Sequence, residues 1–369
     1  MEIIHTEVMN TNKQQTINLQ VVQHLSAGGI ETMALDLLRY ADKNEHMLLI
    51  SLEGRKEDAL AHWPVLKPFS DKLIFLDKQP GWQPKLIWQL RSWMKKQMIN
   101  SVHTHHIGPL IYAGIASKFA GVKKLIHTEH DVWHLSNRKR RLLQSILIKL
   151  TSPIMVADAD IVAKTIKTYW PNLHTQTIHN GIDTERFKPG DSHSARLKLG
   201  LPADVTLVGC SGRLEPVKGQ KTLIDAFTHL PANVHLAIAG SGSCENQLRQ
   251  QTKTLGLDKR VHFLGRIDDM PSFYQAIDLF CLPSQKEGMP LAPLEAQACG
   301  ARAVVTDVGG SAEALCPETG YLVPANDAEK MAEQLNIALA EENTQSPRDF
   351  VIANGDARMM AKSYASLRQ

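Results

Sequence analysis

The chain has 369 residues, enough for two units of about 150 to 200 residues each. Its composition, 43% hydrophobic and 21% charged with a net charge of +3, excludes a disordered or fibrous chain and gives no electrostatic reason to bind nucleic acid. The charge is uneven, since residues 1–185 carry 22 Lys and Arg against 17 Asp and Glu, whereas residues 186–369 carry 19 against 21.

Residues 1–17 read as a polar extension without the continuous apolar segment of a secretory signal, so a cytoplasmic protein is expected. Short runs rich in Val, Ile and Leu then alternate with helical segments almost to the end, the pattern of parallel sheets joined by crossover helices. Strands are expected at 19–25, 47–52, 73–76, 102–105, 125–128, 154–156 and 177–179. The series restarts at 205–210, 235–239, 261–264, 279–282 and 303–306. Between the two series, residues 180–204 concentrate Gly, Pro, Asp and Ser, as a linker with turns does. The expected fold is therefore α/β, with two Rossmann-like, doubly wound domains at 1–185 and 186–345 and a helical tail, 346–369, returning to the first. Two such sheets facing each other bring their strand carboxyl ends to one cleft, where ligands of these folds bind. No apolar stretch approaches the ~20 residues that a bilayer requires. The five cysteines are scattered with no CxxC pair, which indicates neither a disulfide framework nor a zinc site.

The chemistry-bearing segments follow strands. Ser26-Ala27-Gly28-Gly29-Ile30-Glu31 comes after the first strand and opens a helix, so its paired glycines suit either an anion at the helix amino end or a bare tight turn. His127, Glu129, His130, Asp131 and His134 cluster after another strand, but their spacing lacks the helix that a zinc set would need. Arg138-Lys139-Arg140-Arg141 leads into an amphipathic helix; it suits either the head groups of an anionic membrane or the solvated face of a packing helix. Asp158-Ala159-Asp160 spells the DxD of cation-dependent sugar transfer, yet Asp160 stands where a helix N-cap is wanted, and the cap is the preferred reading.

In the second half, Gly212-Arg213-Leu214-Glu215-Pro216-Val217-Lys218-Gly219 again links strand to helix. Arg213 offers a guanidinium fork and Lys218 a point charge, which suit a diphosphate leaving group. The Gly240-Ser241-Gly242 turn begins like a dinucleotide fingerprint but carries Glu245 at the third glycine position, which argues against NAD and for a structural turn. Backbone groups around Gly265 and Arg266 are candidates for base recognition. Glu287-Gly288-Met289-Pro290-Leu291-Ala292-Pro293-Leu294-Glu295 sets two carboxylates eight residues apart. The first lies in a loop and the second in a helix whose early position suits Pro290, with the amides of residues 289–292 free to meet an anion.

The turn SAGGIE, the run HNGIDTERF, the segment GRLEPVKGQ and above all Glu287–Glu295 together resemble the retaining GT-B glycosyltransferases of family four, over about residues 18–340. That resemblance implies a nucleotide sugar as donor. It implies that Arg213 and Lys218 hold the donor diphosphate, that Glu295 binds the ribose hydroxyls and that Glu287 contacts the donor sugar. It sets Gly28 and Gly29 near the transferred sugar and His130 beside the anomeric centre. Gly212, Arg266, Met289, Pro290 and Leu291 complete the expected donor site, with no metal and no cofactor. The implied reaction is transfer of a hexose or N-acetylhexosamine from a UDP- or GDP-sugar to a glycan or lipid-linked acceptor in bacterial surface polysaccharide assembly. It retains the anomeric configuration and passes through no covalent intermediate. A nucleotide-sugar epimerase of the same architecture and a non-catalytic nucleotide-sugar-binding subunit are the alternatives.

Overall fold

The computed structural model describes residues 16–341 and 345–369; the polar extension falls almost entirely outside the described residues. Two compact units divide the chain, the first running to Asn180 and regaining Ala357–Gln369, the second spanning Gly181–Asp356.

The first unit holds a seven-stranded sheet of β1 (Thr16–Val22), β2 (Glu45–Ser51), β3 (Leu73–Phe75), β4 (Ser101–His105), β5 (Lys124–Glu129), β6 (Ile154–Ala157) and β7 (Thr175–Thr177). Their order is β3-β2-β1-β4-β5-β6-β7, every pairing parallel, with Val21 facing Ile50 on one side and Thr104 on the other. Helices such as Gly29–Arg39 and Pro84–Lys96 cover the sheet with Leu35, Leu38, Leu86, Leu90 and Trp93, all buried. Burying each such side chain contributes about 1.5–3 kcal/mol, which is why a parallel sheet in this setting is apolar along nearly its whole length. β4 and β5 depart from that rule: His103, His105, His127 and Glu129 are fully buried. Polar groups survive there only with hydrogen-bond partners, and each of the four has at least one, although His103 Nδ1 and Glu129 Oε2 have none among the described residues.

The second unit builds a six-stranded parallel sheet from β8 (Thr206–Ser211), β9 (Val234–Ala239), β10 (Val261–Gly265), β11 (Leu279–Leu282), β12 (Arg302–Thr306) and β13 (Tyr321–Val323), in the order β10-β9-β8-β11-β12-β13. Val208, Leu236, Ile238, Leu279, Cys281 and Val304 form its core with Leu223, Phe227 and Leu335 from the covering helices. All five cysteines are free thiols. In both sheets the strand order reverses at one place, between β1 and β4 and between β8 and β11. At such a switch point the connections leave in opposite directions and open a crevice at the carboxyl ends of the strands.

Three sequence expectations need correction. β13 was not foreseen, because its three residues lie between Thr319-Gly320 and Pro324, where turn-forming residues dominate the pattern. The boundary lies at Asn180 and Gly181 rather than at 185, because Ile182 donates to the Gly355 carbonyl at 2.8 Å and Thr184 bonds Asp356, tying residues 181–185 to the second unit. The tail is two helices, not one. Pro347–Asn354 stays with the second unit, held by Arg348 on the carbonyls of Thr184, Phe187 and Ala298. Only Ala357–Arg368 joins the first unit, where Tyr364 meets the Thr128 hydroxyl at 2.9 Å and Arg368 forks onto Glu45 with two 2.7 Å bonds.

Candidate functional site

In the second unit the expected donor residues gather at the switch point. The loop after β8 begins at Gly212, whose φ of +141° only glycine adopts readily, and ends at Gly219, with φ +68°. A Cβ on Gly219 would lie 2.0 Å from the Pro283 carbonyl oxygen, so this glycine lets the loop after β8 close onto the loop after β11. That closure brings Lys218 to Glu287: the ammonium donates to Oε1 at 2.7 Å, and Ser284 Oγ donates to the same oxygen at 2.6 Å. Arg213 is exposed, and its guanidinium has no hydrogen-bond partner among the described residues. Glu215 anchors the loop by accepting from the backbone N–H and the hydroxyl of Ser243, which hold its carboxyl below the usual range.

Glu295 lies on the helix Leu291–Ala298, which begins one residue later than expected. Pro290 is the N-cap, with φ −73° and ψ 136°, a conformation the proline ring permits as readily as a first helical position. Pro290 and Pro293 have no N–H, so the first turn presents the amides of Leu291 and Ala292 rather than a run across 289–292. Met289 and Leu291 are buried beside them. The Tyr274 hydroxyl donates to Glu295 Oε2 at 2.7 Å and meets Ser211 Oγ at 2.9 Å. Burial raises the Glu295 carboxyl, against the lowering effects of Tyr274 and of the Arg186 charge. Tyr274, Ser211 and Ser284 were not legible as site residues: each carries a single hydroxyl with no motif, and only the fold aims Tyr274 and Ser284 at a glutamate and Ser211 at Tyr274.

Arg266 follows β10 and pairs with Asp268 at 3.2 Å on the surface. The Gly240 turn has a structural reason for its glycines, since a Cβ at Gly240 would sit 1.9 Å from the Gly212 carbonyl oxygen and one at Gly242 2.5 Å from that of Leu214.

In the first unit Gly28 is the N-cap of the helix Gly29–Arg39, following β1 at the switch point. Its φ of −166° is ordinary extended backbone, but a Cβ there would come within 2.4 Å of the Glu31 carboxylate. Across the switch point, after β4, His106 has φ +66° and ψ 169°, a region essentially reserved for glycine. Burial drops its imidazole to about 4, and its ring stands edge-on to His130 at 5.4 Å.

His130 itself is buried, with Nδ1 3.3 Å from Asp158 Oδ2 and Nε2 3.1 Å from His105 Nδ1. The five groups considered for zinc are engaged in hydrogen bonds of their own. His127 bonds Glu129 at 2.9 Å, His134 bonds Asp131 at 3.2 Å and Gln144 at 2.9 Å, and His130 bonds Asp158. The DxD carboxylates also part company. Asp158 is buried and bonded to His130 and Asn180, while Asp160 is exposed. Asp160 is not the N-cap expected: Ala159 is, and Asp160 is the first residue of the helix Asp160–Tyr169, where its charge still complements the dipole.

The helix Arg138–Thr151 is capped by Asn137, whose side chain accepts from the amides of Lys139 and Arg140. It buries Gln144, Leu147 and Thr151 and leaves Leu142 63% and Ile146 54% exposed, with Leu143 and Leu150 also exposed.

Comparison with known proteins agrees with this geometry. Residues 191–355 match the family model described as glycosyl transferases group 1, and residues 27–186 match that of glycosyltransferase family 4. The chain is 30% identical over 270 residues to the UDP-Gal:alpha-D-GlcNAc-diphosphoundecaprenol alpha-1,3-galactosyltransferase of Escherichia coli, covering 68% of this chain and 69% of that protein. It is 29% identical over 332 residues, 84% of each chain, to the GDP-mannose-dependent monoacylated alpha-(1-6)-phosphatidylinositol monomannoside mannosyltransferase of Corynebacterium glutamicum. Among solved structures, Anabaena HepE in complex with UDP and glucose shares the fold, with a TM-score of 0.81 at 22% identity over 95% of this chain and 98% of that one.

Proposed function

The chain belongs to the group 1 glycosyltransferases, and from that premise we propose that it moves a hexose or N-acetylhexosamine from a UDP- or GDP-sugar to a glycan or lipid-linked acceptor, with retention and without a metal. The observation that carries the reading is the gathering of Lys218, Glu287, Arg213 and the amino end of the helix Leu291–Ala298 at the β8/β11 switch point. As the glycosidic bond breaks, negative charge grows on the departing diphosphate. Fixed cations and backbone amides aimed at it stabilise the transition state more than any other single effect. Glu295, oriented by Tyr274, accepts from ribose hydroxyls, and Glu287 is left one carboxylate oxygen, Oε2, for a sugar hydroxyl. The incoming hydroxyl attacks the face that the nucleotide leaves.

The relatives' names support both donor nucleotides and a lipid-linked acceptor, since one is GDP-mannose-dependent and another acts on a diphosphoundecaprenol-linked sugar. A third relative, at 32% identity over 232 residues, is the lipopolysaccharide core biosynthesis mannosyltransferase LpsB of Rhizobium meliloti, which supports a role in surface polysaccharide assembly. The test is nucleotide release from a panel of UDP- and GDP-sugars with a lipid-linked acceptor, run with EDTA, and NMR of the product anomer. Release abolished by EDTA, an inverted product, or acceptor-independent epimerisation of the donor each overturns the corresponding part.

The proposal extends to location. Leu142, Leu143, Ile146 and Leu150 stand exposed on the helix that begins with Arg138, Lys139, Arg140 and Arg141, an apolar strip beside a basic cluster. That combination suits an anionic leaflet on the cytoplasmic side, each cation contributing about 1 kcal/mol near the surface. Among the described residues no helix is long and apolar enough to cross a membrane, and the contact proposed is a peripheral one. Flotation with phosphatidylglycerol vesicles decides: binding that survives replacement of all four basic residues by Ser and of Leu142 and Ile146 by Ser removes this surface from the reading.

A further inference from the structure

We infer that a one-directional hydrogen-bond chain from the Ala34 carbonyl through Gln20 and His105 holds His130 as an imidazolium, with Asp158 as its carboxylate counterion. Gln20, His105 and Asp158 are then positioning residues for His130, the histidine that the family resemblance sets beside the anomeric centre. Only that link to transfer rests on the proposed function; the protonation state is a property of the first unit alone.

The direction is set at the end that has no choice. A backbone carbonyl only accepts, so Gln20 Nε2, 3.0 Å from the Ala34 oxygen, is the donor. The amide oxygen of Gln20 is thereby turned toward His105 Nε2 at 3.2 Å, and because that oxygen only accepts, His105 Nε2 bears the hydrogen. Burial drives His105 well below its ordinary value, helped by the neighbouring histidines, so its ring is neutral and its Nδ1 is a lone pair. Nδ1 lies 3.1 Å from His130 Nε2, which must donate. The other nitrogen of His130 lies 3.3 Å from Asp158 Oδ2, an oxygen that also receives the Asn180 side-chain amide at 3.1 Å. The proton between the two sits on the more basic partner, and an imidazole is ordinarily more basic than a carboxylate, so His130 Nδ1 donates as well and Asp158 Oδ2 accepts from both His130 and Asn180. Two N–H groups on one imidazole make a cation.

Burial makes the assignment consequential. An imidazolium in this interior is tolerable only with a counter-charge, and Asp158 supplies it within the same hydrogen bond. The second carboxylate nearby, Glu129, is engaged by His127 and Gln144 and is not that partner. Both N–H bonds of His130 are spent inside the unit. What the residue offers a ligand is its charge and the C–H edge of its ring, so its part in transfer is electrostatic and not proton transfer.

The experiment uses the full chain labelled with 15N-histidine and 13C-aspartate, without ligand. Long-range 1H–15N spectra, assigned with His130→Gln and His105→Gln, report the state of each ring nitrogen. The expected result is that both nitrogens of His130 are protonated at pH 7.5, that His105 is neutral with its hydrogen on Nε2, and that the Asp158 carboxyl carbon is ionised. A His130 with one bare nitrogen, or a protonated Asp158, overturns the inference. Gln20→Leu removes the group that sets the direction, and the His130 Nε2 hydrogen is then expected to be lost at the same pH while the backbone amide spectrum is retained. An unchanged His130 signal in that variant overturns the chain as the cause. In turnover assays Gln20→Leu is expected to lower kcat and leave the donor KM unchanged; a KM effect alone overturns the positioning role. A chain that transfers no sugar at all would sink the proposed function but leave the spectra to decide the protonation state.

Discussion

Lys218 donates to Glu287 across 2.7 Å, so the cation expected on the diphosphate and the carboxylate expected on the sugar are bound to each other. Their sequence separation is 69 residues, and the contact exists because β8 and β11 are neighbours in the sheet. The pairing fixes the Lys218 ammonium, whereas the exposed Arg213 guanidinium is held by nothing comparable among the described residues.

Removing either cation tests the charge-stabilisation argument. Lys218→Ala and Arg213→Ala are each expected to lower turnover by roughly two orders of magnitude. Glu287→Gln, which still offers an amide oxygen to Lys218, should retain nucleotide binding and lose donor-sugar discrimination. Steady-state nucleotide release from several donors measures all three; undiminished rates in both cation variants remove the assignment.

Glu295 depends on Tyr274 for its one hydroxyl donor. Tyr274→Phe deletes that bond and lets burial push the carboxyl further up, so nucleotide affinity should fall about tenfold, the equivalent of ~1.4 kcal/mol. Isothermal titration with UDP and GDP gives the value. An unchanged affinity for both would mean that Glu295 does not meet the ribose.

Two glycines with nearly equal φ separate backbone strain from collision. Gly200, at +66°, has nothing within 4 Å of the place a methyl group would take, so Gly200→Ala should cost only the left-handed conformation, about 1 kcal/mol. Gly219, at +68°, would drive its methyl into the Pro283 carbonyl, and Gly219→Ala should cost about 3 kcal/mol or more and detach Lys218 from Glu287. Urea unfolding of the second unit checks the ranking; equal costs refute the steric account.

The buried histidines make the first unit acid-sensitive. Burial lowers His103 and His105 well below 6.5 and His106 to about 4. Below pH 6.5 the unfolded chain therefore binds protons that the folded unit refuses, and stability drops as pH falls. Each histidine contributes a slope approaching about 1.4 kcal/mol per pH unit. His134 works the other way: burial pulls it down, but Asp131, Glu129 and Gln144 outweigh that and raise it, so it offsets part of the loss. Calorimetry between pH 7.5 and 5 should show the melting of the first unit falling, and a flat profile contradicts the linkage.

Much of this is legible in the order of residues alone. The alternation of apolar runs and helices dictates parallel sheets, because each strand must be covered on both faces, and twelve of the thirteen strands among the described residues announce themselves that way. Gly212, Gly219, Glu287 and Glu295 stand out because turns and helix starts demand particular residue types. β13 escapes because it is wedged between the turn residues Gly320 and Pro324, and the 347–354 helix is misassigned because Arg348 finds its carbonyl partners only in three dimensions.

The chain's own order of residues thus determined the fold class, the two sheets and the loops that hold the candidate chemistry, since periodicity and turn chemistry are local properties. Tertiary structure alone decided which groups meet. Strand order brought Lys218 to Glu287, Tyr274 to Glu295, and His105 and Asp158 to opposite nitrogens of His130. Hydrogen bonds reach only about 3 Å, and no spacing along a chain specifies contacts that short between segments tens of residues apart.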